Sequence, residues 1–162
     1  MKTAVYPGSF DPITCGHLDI LKRGNEMFDQ IKVVLFTNTS KKPLFTIEER
    51  MDMIRQSVTD LANIEVDCYE GLVVDYMKKY NHRFLLRGLR SISDFESEFQ
   101  MASMNKKMYP EVESVFLMTS HEHAYVSSSL IREIIRFNGS VQGMVPEYVH
   151  QKLVEKIKGM NR

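Results

Sequence analysis

Tyr-Pro-Gly-Ser-Phe-Asp-Pro-Ile-Thr-Cys-Gly-His fills residues 6–17, directly behind a short apolar run and directly ahead of a helical period. Two prolines and two glycines turn the chain sharply there. Gly16 and His17 fall where a helix N-terminus offers unpaired amide donors and the positive end of its dipole. An anion such as phosphate is the guest that this junction favours. Neither GxGxxG nor GxxxxGKS/T occurs anywhere in the chain, which counts against the common dinucleotide fingerprint and the P-loop.

Working outward, residues 3–6, 31–37, 64–68, 84–86 and 114–118 each read as a short buried strand. Helical periods fill the gaps. The first is expected over 16–28 with Leu18, Leu21 and Met27 near one face. Thr46 and Glu49 form a capping box that opens a second helix through Ile54 and Val58. Further helices are expected over 72–80, 94–108 and 127–138, the last stopped by Gly139, and a final one after Pro146 carries Val149, Leu153 and Ile157. This alternation predicts an α/β fold: one doubly wound, five-stranded parallel sheet, Rossmann-like, spanning 1–162 as a single domain. Its ligands belong beyond the carboxyl ends of the strands.

Composition narrows the function classes. Lys and Arg together number 21 and Asp and Glu together number 21, so the formal charge is zero, which argues against a nucleic-acid binder and leaves a mononucleotide open. No stretch approaches the roughly 18 apolar residues of a membrane span, and no leader pattern opens the chain, so the expected location is cytoplasmic with no membrane partner. Cys15 and Cys68 stand far apart without a CxxC pattern, and His82, His121 and His150 lack ligand-like spacing. Those histidines read as surface or capping residues, and no protein metal cage is expected. Met101, Met104 and Met108 recur at helical spacing and read as core or as a subunit contact.

A second cluster lies near the other end. Val126, Ser127, Ser128, Ser129, Leu130, Ile131 and Arg132 put hydroxyls and free amides at a helix start, with Arg132 one turn on. Such a helix end suits a polyphosphate. Between the two clusters, Ser40-Lys41-Lys42-Pro43, Leu86-Arg87-Gly88-Leu89-Arg90 and Asp94-Phe95-Glu96-Ser97-Glu98 all follow expected strand ends.

Thr14 to His17 resembles the T/HxGH signature of the nucleotidyltransferases, and 126–132 resembles the ISSSxxR motif paired with it in one branch. Taken in order, YPGSFDPITCGH, SKKPLFT, LLRGLR, DFESEFQMA, ESVFLM and VSSSLIREI resemble the bacterial phosphopantetheine adenylyltransferases across nearly the whole chain. The resemblance implies transfer of the adenylyl group of ATP to 4'-phosphopantetheine with Mg2+, in a homohexamer, and leaves room for feedback by coenzyme A. It makes His17 the transition-state stabiliser, with Lys41 and Arg87 beside it. Ser9, Lys41, Val73 and Arg87 then fall on the phosphopantetheine side. Ser9, Phe10, His17, Gly88, Leu89, Arg90, Glu98, His123, Ala124, Tyr125, Val126, Ser127, Ser128 and Ser129 fall on the ATP side. Two departures stand out: His123 replaces a common aromatic residue, and Gly71 replaces an acidic one.

Because a phosphate monoester is already an anionic nucleophile, the implied reaction needs no general base, only alignment and charge stabilisation. Motif chemistry alone leaves two alternatives open: another acceptor such as nicotinamide mononucleotide, or a nucleotide-binding regulatory module without turnover.

Overall fold

The computed structural model describes residues 1–37 and 42–162. Five strands, β1 (Thr3–Gly8), β2 (Gln30–Thr37), β3 (Ile64–Glu70), β4 (Phe84–Leu89) and β5 (Glu113–Met118), form one sheet in the order β3-β2-β1-β4-β5. Every pairing is parallel. The helices among the described residues are α1 (Cys15–Asn25), α2 (Ile47–Ser57), α3 (Val73–Lys79), α4 (Ile92–Met108), α5 (Ser128–Arg136) and α6 (Glu147–Met160). The expected Rossmann-like α/β architecture is therefore the observed one, strand for strand.

Alternation along the strands builds two apolar layers. Ala4, Tyr6, Ile31, Val33, Leu35 and Leu86 point to one face, where Ile20 and Leu21 of α1, Met53 and Ile54 of α2, Ile131 of α5 and Leu153 of α6 cover them. Val5, Val34 and Leu85 point to the other, against Val74, Tyr76 and Met77 of α3 and against Tyr109 and Val112. Strands buried on both faces read as continuous apolar runs, which is why they are legible in the sequence.

The chain builds outward from β1 to β3, then crosses back to lay β4 on the other side of β1, so the winding reverses between β1 and β4. At this switch point the two strands pair only at Ala4 with Phe84 and Val5 with Leu85. By contrast, β1 stays paired to β2 through Gly8, and β4 stays paired to β5 through Leu89. The sheet therefore splits at its carboxyl edge, and the split opens a cleft.

Helix α1 lies close over that split. A Cβ on Gly88 would stand 2.9 Å from Cγ1 of Ile20, and one on Gly24 2.8 Å from Cδ2 of Leu86, so the approach needs glycine at both places.

Several expectations need correction. Helix α1 ends at Asn25, so Met27 is 52% exposed; Ile20, Leu21 and Gly24 take the inward positions. Asn138 rather than Gly139 holds the left-handed turn after α5, with φ 57°, while the Gly139 amide donates to Ile134 O at 2.9 Å. Helix α4 buries Asn105 alone, leaving Met101, Met104 and Met108 exposed with Phe95 and Phe99, so the methionines are not core of this protomer. His82 is half-buried and stacks on Tyr80 at 6.2 Å, its Nε2 without a partner among the described residues.

Candidate active site

The loop after β1 descends into the split. Phe10 takes φ 45° and is 2% exposed, its ring edge-on to Tyr6 at 5.5 Å and to His17 at 5.0 Å. Asp11, also buried, accepts from the amides of Leu44 (2.8 Å) and Phe45 (3.0 Å), tying this loop to the segment after β2. From α5, Arg132 donates to Asp11 O at 2.7 Å and Ser128 Oγ donates to Pro12 O at 2.7 Å. One loop is thus clamped from both sides.

Thr14 is the N-cap of α1, and His17, at the third helical position, completes a capping box with its ring. Nδ1 accepts from the Thr14 amide at 3.0 Å, which leaves the ring proton on Nε2. Burial first, then the charges of Arg87 and Arg90, lower its pKa from 6.5 to about 4. At neutral pH His17 is an uncharged donor whose one N–H is free among the described residues, and the arginines beside it help to keep it neutral.

Arg87 crosses the strand split. Its Nη1 donates to Pro7 O at 2.8 Å, where β1 and β4 no longer pair, and Nε and Nη2 grip both oxygens of Glu98 at 2.8 and 2.5 Å. Burial would lower its pKa, but the Glu98 hydrogen bonds and charge raise it. Arg90 donates through Nε to Asp94 at 3.0 Å and through Nη1 to Val126 O at 3.2 Å, joining the end of β4 to the lead-in of α5. Ser127 caps α5 by accepting from the Leu130 amide at 3.1 Å, and Ser129 Oγ accepts from Arg132 at 3.3 Å. The serine hydroxyls are therefore largely engaged. What α5 offers a ligand is its dipole and the unpaired amides of Ser128 and Ser129.

These groups surround a cleft of about 1180 Å³. Of the residues nominated from sequence, Ser9, Phe10, His17, Arg87, Gly88, Arg90, Glu98, Val126, Ser127, Ser128 and Ser129 line it. Val73 does not: it opens α3 and packs in the second apolar layer. Leu89 pairs with Met118 at the strand end, Tyr125 is 60% exposed, and Ala124 follows the 3-10 turn His121–His123, all outside the lining. The backbone of His123 instead backs the start of α1, its carbonyl oxygen 3.6 Å from where a Gly16 Cβ would stand. Lys41 lies outside the described residues.

Sequence reasoning gave no individual role to Asp11, Arg50 and Arg136, which also line the cleft. Arg50 in particular sits in an ordinary-looking helical charge run after the Thr46 cap, yet it is 5% exposed. Nothing local in the sequence marks it as inward. Gly71 takes φ 134°, a conformation that side-chain-bearing residues rarely adopt.

Among the described residues no cluster of three or more His, Cys, Asp or Glu could hold a metal. Asp11, Asp94 and Glu98 are committed to amides and arginines, so the donor set does not form a magnesium cage. No described helix is long and apolar enough to cross a membrane.

Residues 5–134 match the family model described as cytidylyltransferase-like. A phosphopantetheine adenylyltransferase of Dictyoglomus turgidum is 51% identical over 158 residues, covering 98% of this chain and 99% of the relative. One from Carboxydothermus hydrogenoformans is 54% identical, with 98% of each chain covered. One from Clostridium botulinum is 47% identical, with 98% and 99% covered.

Proposed function

The chain belongs to the phosphopantetheine adenylyltransferase family, and on that premise we propose that it transfers the adenylyl group of ATP to 4'-phosphopantetheine, forming dephospho-coenzyme A and pyrophosphate. The observation that carries the reading is the neutral His17 donor, held by Thr14 at the split between β1 and β4 inside an arginine-lined cleft. The acceptor phosphate is the nucleophile, and its attack on the α-phosphorus expels pyrophosphate. No side chain has to remove a proton.

A half-buried histidine with a lowered pKa is a poor base but a good fixed donor, so His17 Nε2–H serves the oxygens of the α-phosphate where charge builds. Arg87 keeps N–H groups beyond those given to Glu98 and Pro7, and its neutralised, rigid position suits orientation more than bulk attraction. Lys41 belongs with it on the resemblance. The α5 amides and Arg132 receive the outgoing pyrophosphate. Magnesium enters with ATP, carried by phosphates and water.

The test is pyrophosphate release from magnesium and ATP with 4'-phosphopantetheine, run beside nicotinamide mononucleotide. Release with phosphopantetheine alone is expected. Release only with the other acceptor overturns the substrate, and ATP binding without release under any condition makes the chain a sensor.

The same reading makes the chain a single cytoplasmic nucleotidyltransferase domain that assembles as a homohexamer. Exposed Phe95, Phe99, Met101 and Met104 on α4 support an interface there. Coenzyme A unites parts of both substrates and is expected to compete for the cleft; no inhibition at millimolar coenzyme A removes feedback.

A further inference from the structure

We propose that Arg50 is a further anion-binding residue of the cleft, holding a phosphoryl group of one substrate against the turn at Ser9 and Phe10. The inference rests on the reading that the cleft takes phosphorylated substrates.

Arg50 lies on the first turns of α2, is 5% exposed, and lines the cleft. Its Nη1 donates to Ser9 O at 2.9 Å and its Nε to Thr46 O at 3.3 Å. Both acceptors are neutral carbonyls, so they orient the guanidinium without cancelling its charge. The other arginines there differ: Arg87 has Glu98, Arg90 has Asp94, and Arg132 approaches Asp11 at 3.8 Å. The charges that act on Arg50 belong to Asp11 and Glu48, and neither forms an ion pair with it among the described residues. Asp11 is itself engaged by the Leu44 and Phe45 amides.

A guanidinium carries five N–H donors, of which the carbonyls of Ser9 and Thr46 take two. The remaining three have no acceptor among the described residues. A largely buried cation that turns unpaired donors to a cleft gains by taking an anion there, and the planar fork matches a phosphoryl group. Its anchor, Ser9, precedes Phe10, whose ring touches His17. A phosphate held by Arg50 therefore lies beside the reacting centre, on the α2 wall of the cleft.

Two ligands could supply that phosphate, so 4'-phosphopantetheine and magnesium ATP are titrated separately by calorimetry into the wild type, Arg50→Gln and Arg50→Lys, with melting curves in parallel. Arg50→Gln is expected to bind one ligand at least tenfold more weakly and the other within twofold, and the affected ligand identifies the source. Arg50→Lys, which keeps the charge but loses the fork, is expected to lose at least threefold for the same ligand. A lower melting temperature with both affinities unchanged, or an equal loss for both ligands, makes Arg50 structural and overturns the proposal. If Arg50→Gln does not fold, Arg50→Lys decides by the same criteria. If neither ligand binds the wild type, the functional reading is what fails. Inorganic tripolyphosphate then tests Arg50 alone, a tenfold loss in the variant supporting it and equal binding overturning it.

Discussion

The ring of His17 holds two jobs at once, and they explain each other. By accepting the Thr14 amide it closes the start of α1, and the same bond fixes the tautomer that turns Nε2–H toward the cleft. His17→Ala is therefore expected to lower turnover by about 10²–10³, the usual cost of losing one donor to a transition-state oxyanion, together with about 1 kcal/mol of stability from the orphaned amide. Steady-state assays and denaturant melts separate the two effects; turnover within a few-fold of wild type removes His17 from the chemistry. The depressed pKa carries a sign. Between pH 6.5 and about 4 the unfolded chain binds the proton and the folded chain does not, so this residue makes stability fall as pH drops through that window. Denaturant melts at pH 7 and pH 4.5 should show a smaller difference for His17→Ala than for wild type. The sequence singled out this residue through the motif at Thr14 to His17 read together with the serine cluster at 126–132, but its uncharged state was not legible, because charge depends on burial and on arginines some 70 residues away.

At the scale of elements, α5 and β4 meet over the cleft through polar contacts that no spacing rule foretells. Ser127 to Ser129 read as three available hydroxyls, whereas one caps the helix, one ties down Pro12 and one accepts from Arg132. Ser127→Ala is expected to cost about 1 kcal/mol through the lost cap. It should also raise the KM for ATP more than it lowers kcat, since the unpaired amides of α5 shift while His17 stays put. A full loss of kcat at unchanged KM would instead assign the hydroxyl to the reacting phosphate. Helix α4 shows the opposite limit. Its methionine spacing reads equally well as core or contact, and only the tertiary structure shows that face exposed.

Across the whole molecule, function follows from one topological fact: the winding reverses between β1 and β4, their pairing stops after two rungs, and the gap receives His17 from α1, Arg87 from β4 and Arg50 from α2. The uncovered α4 face belongs to this scale too. Phe99→Glu places a charge among exposed apolar side chains that contribute little to the protomer's own core. It is expected to lower the assembly state in sedimentation velocity while leaving the monomer's melting cooperative. An unchanged sedimentation coefficient moves the contact elsewhere.

By itself the sequence determined the order and type of every strand and helix, the parallel sheet and the phosphate-suited junction at residues 6–17. Those features depend on periodicity and capping, which act over a few residues and are written locally. Only the tertiary structure decided which charges are spent on one another and which are left for a ligand. Glu98 reached Arg87, Asp11 reached the amides of Leu44 and Phe45, and Arg50 turned inward onto two carbonyls with no ion pair among the described residues. Such pairings join residues that are distant along the chain, and burial fixes their strength, so they exist only once the sheet has brought the loops together.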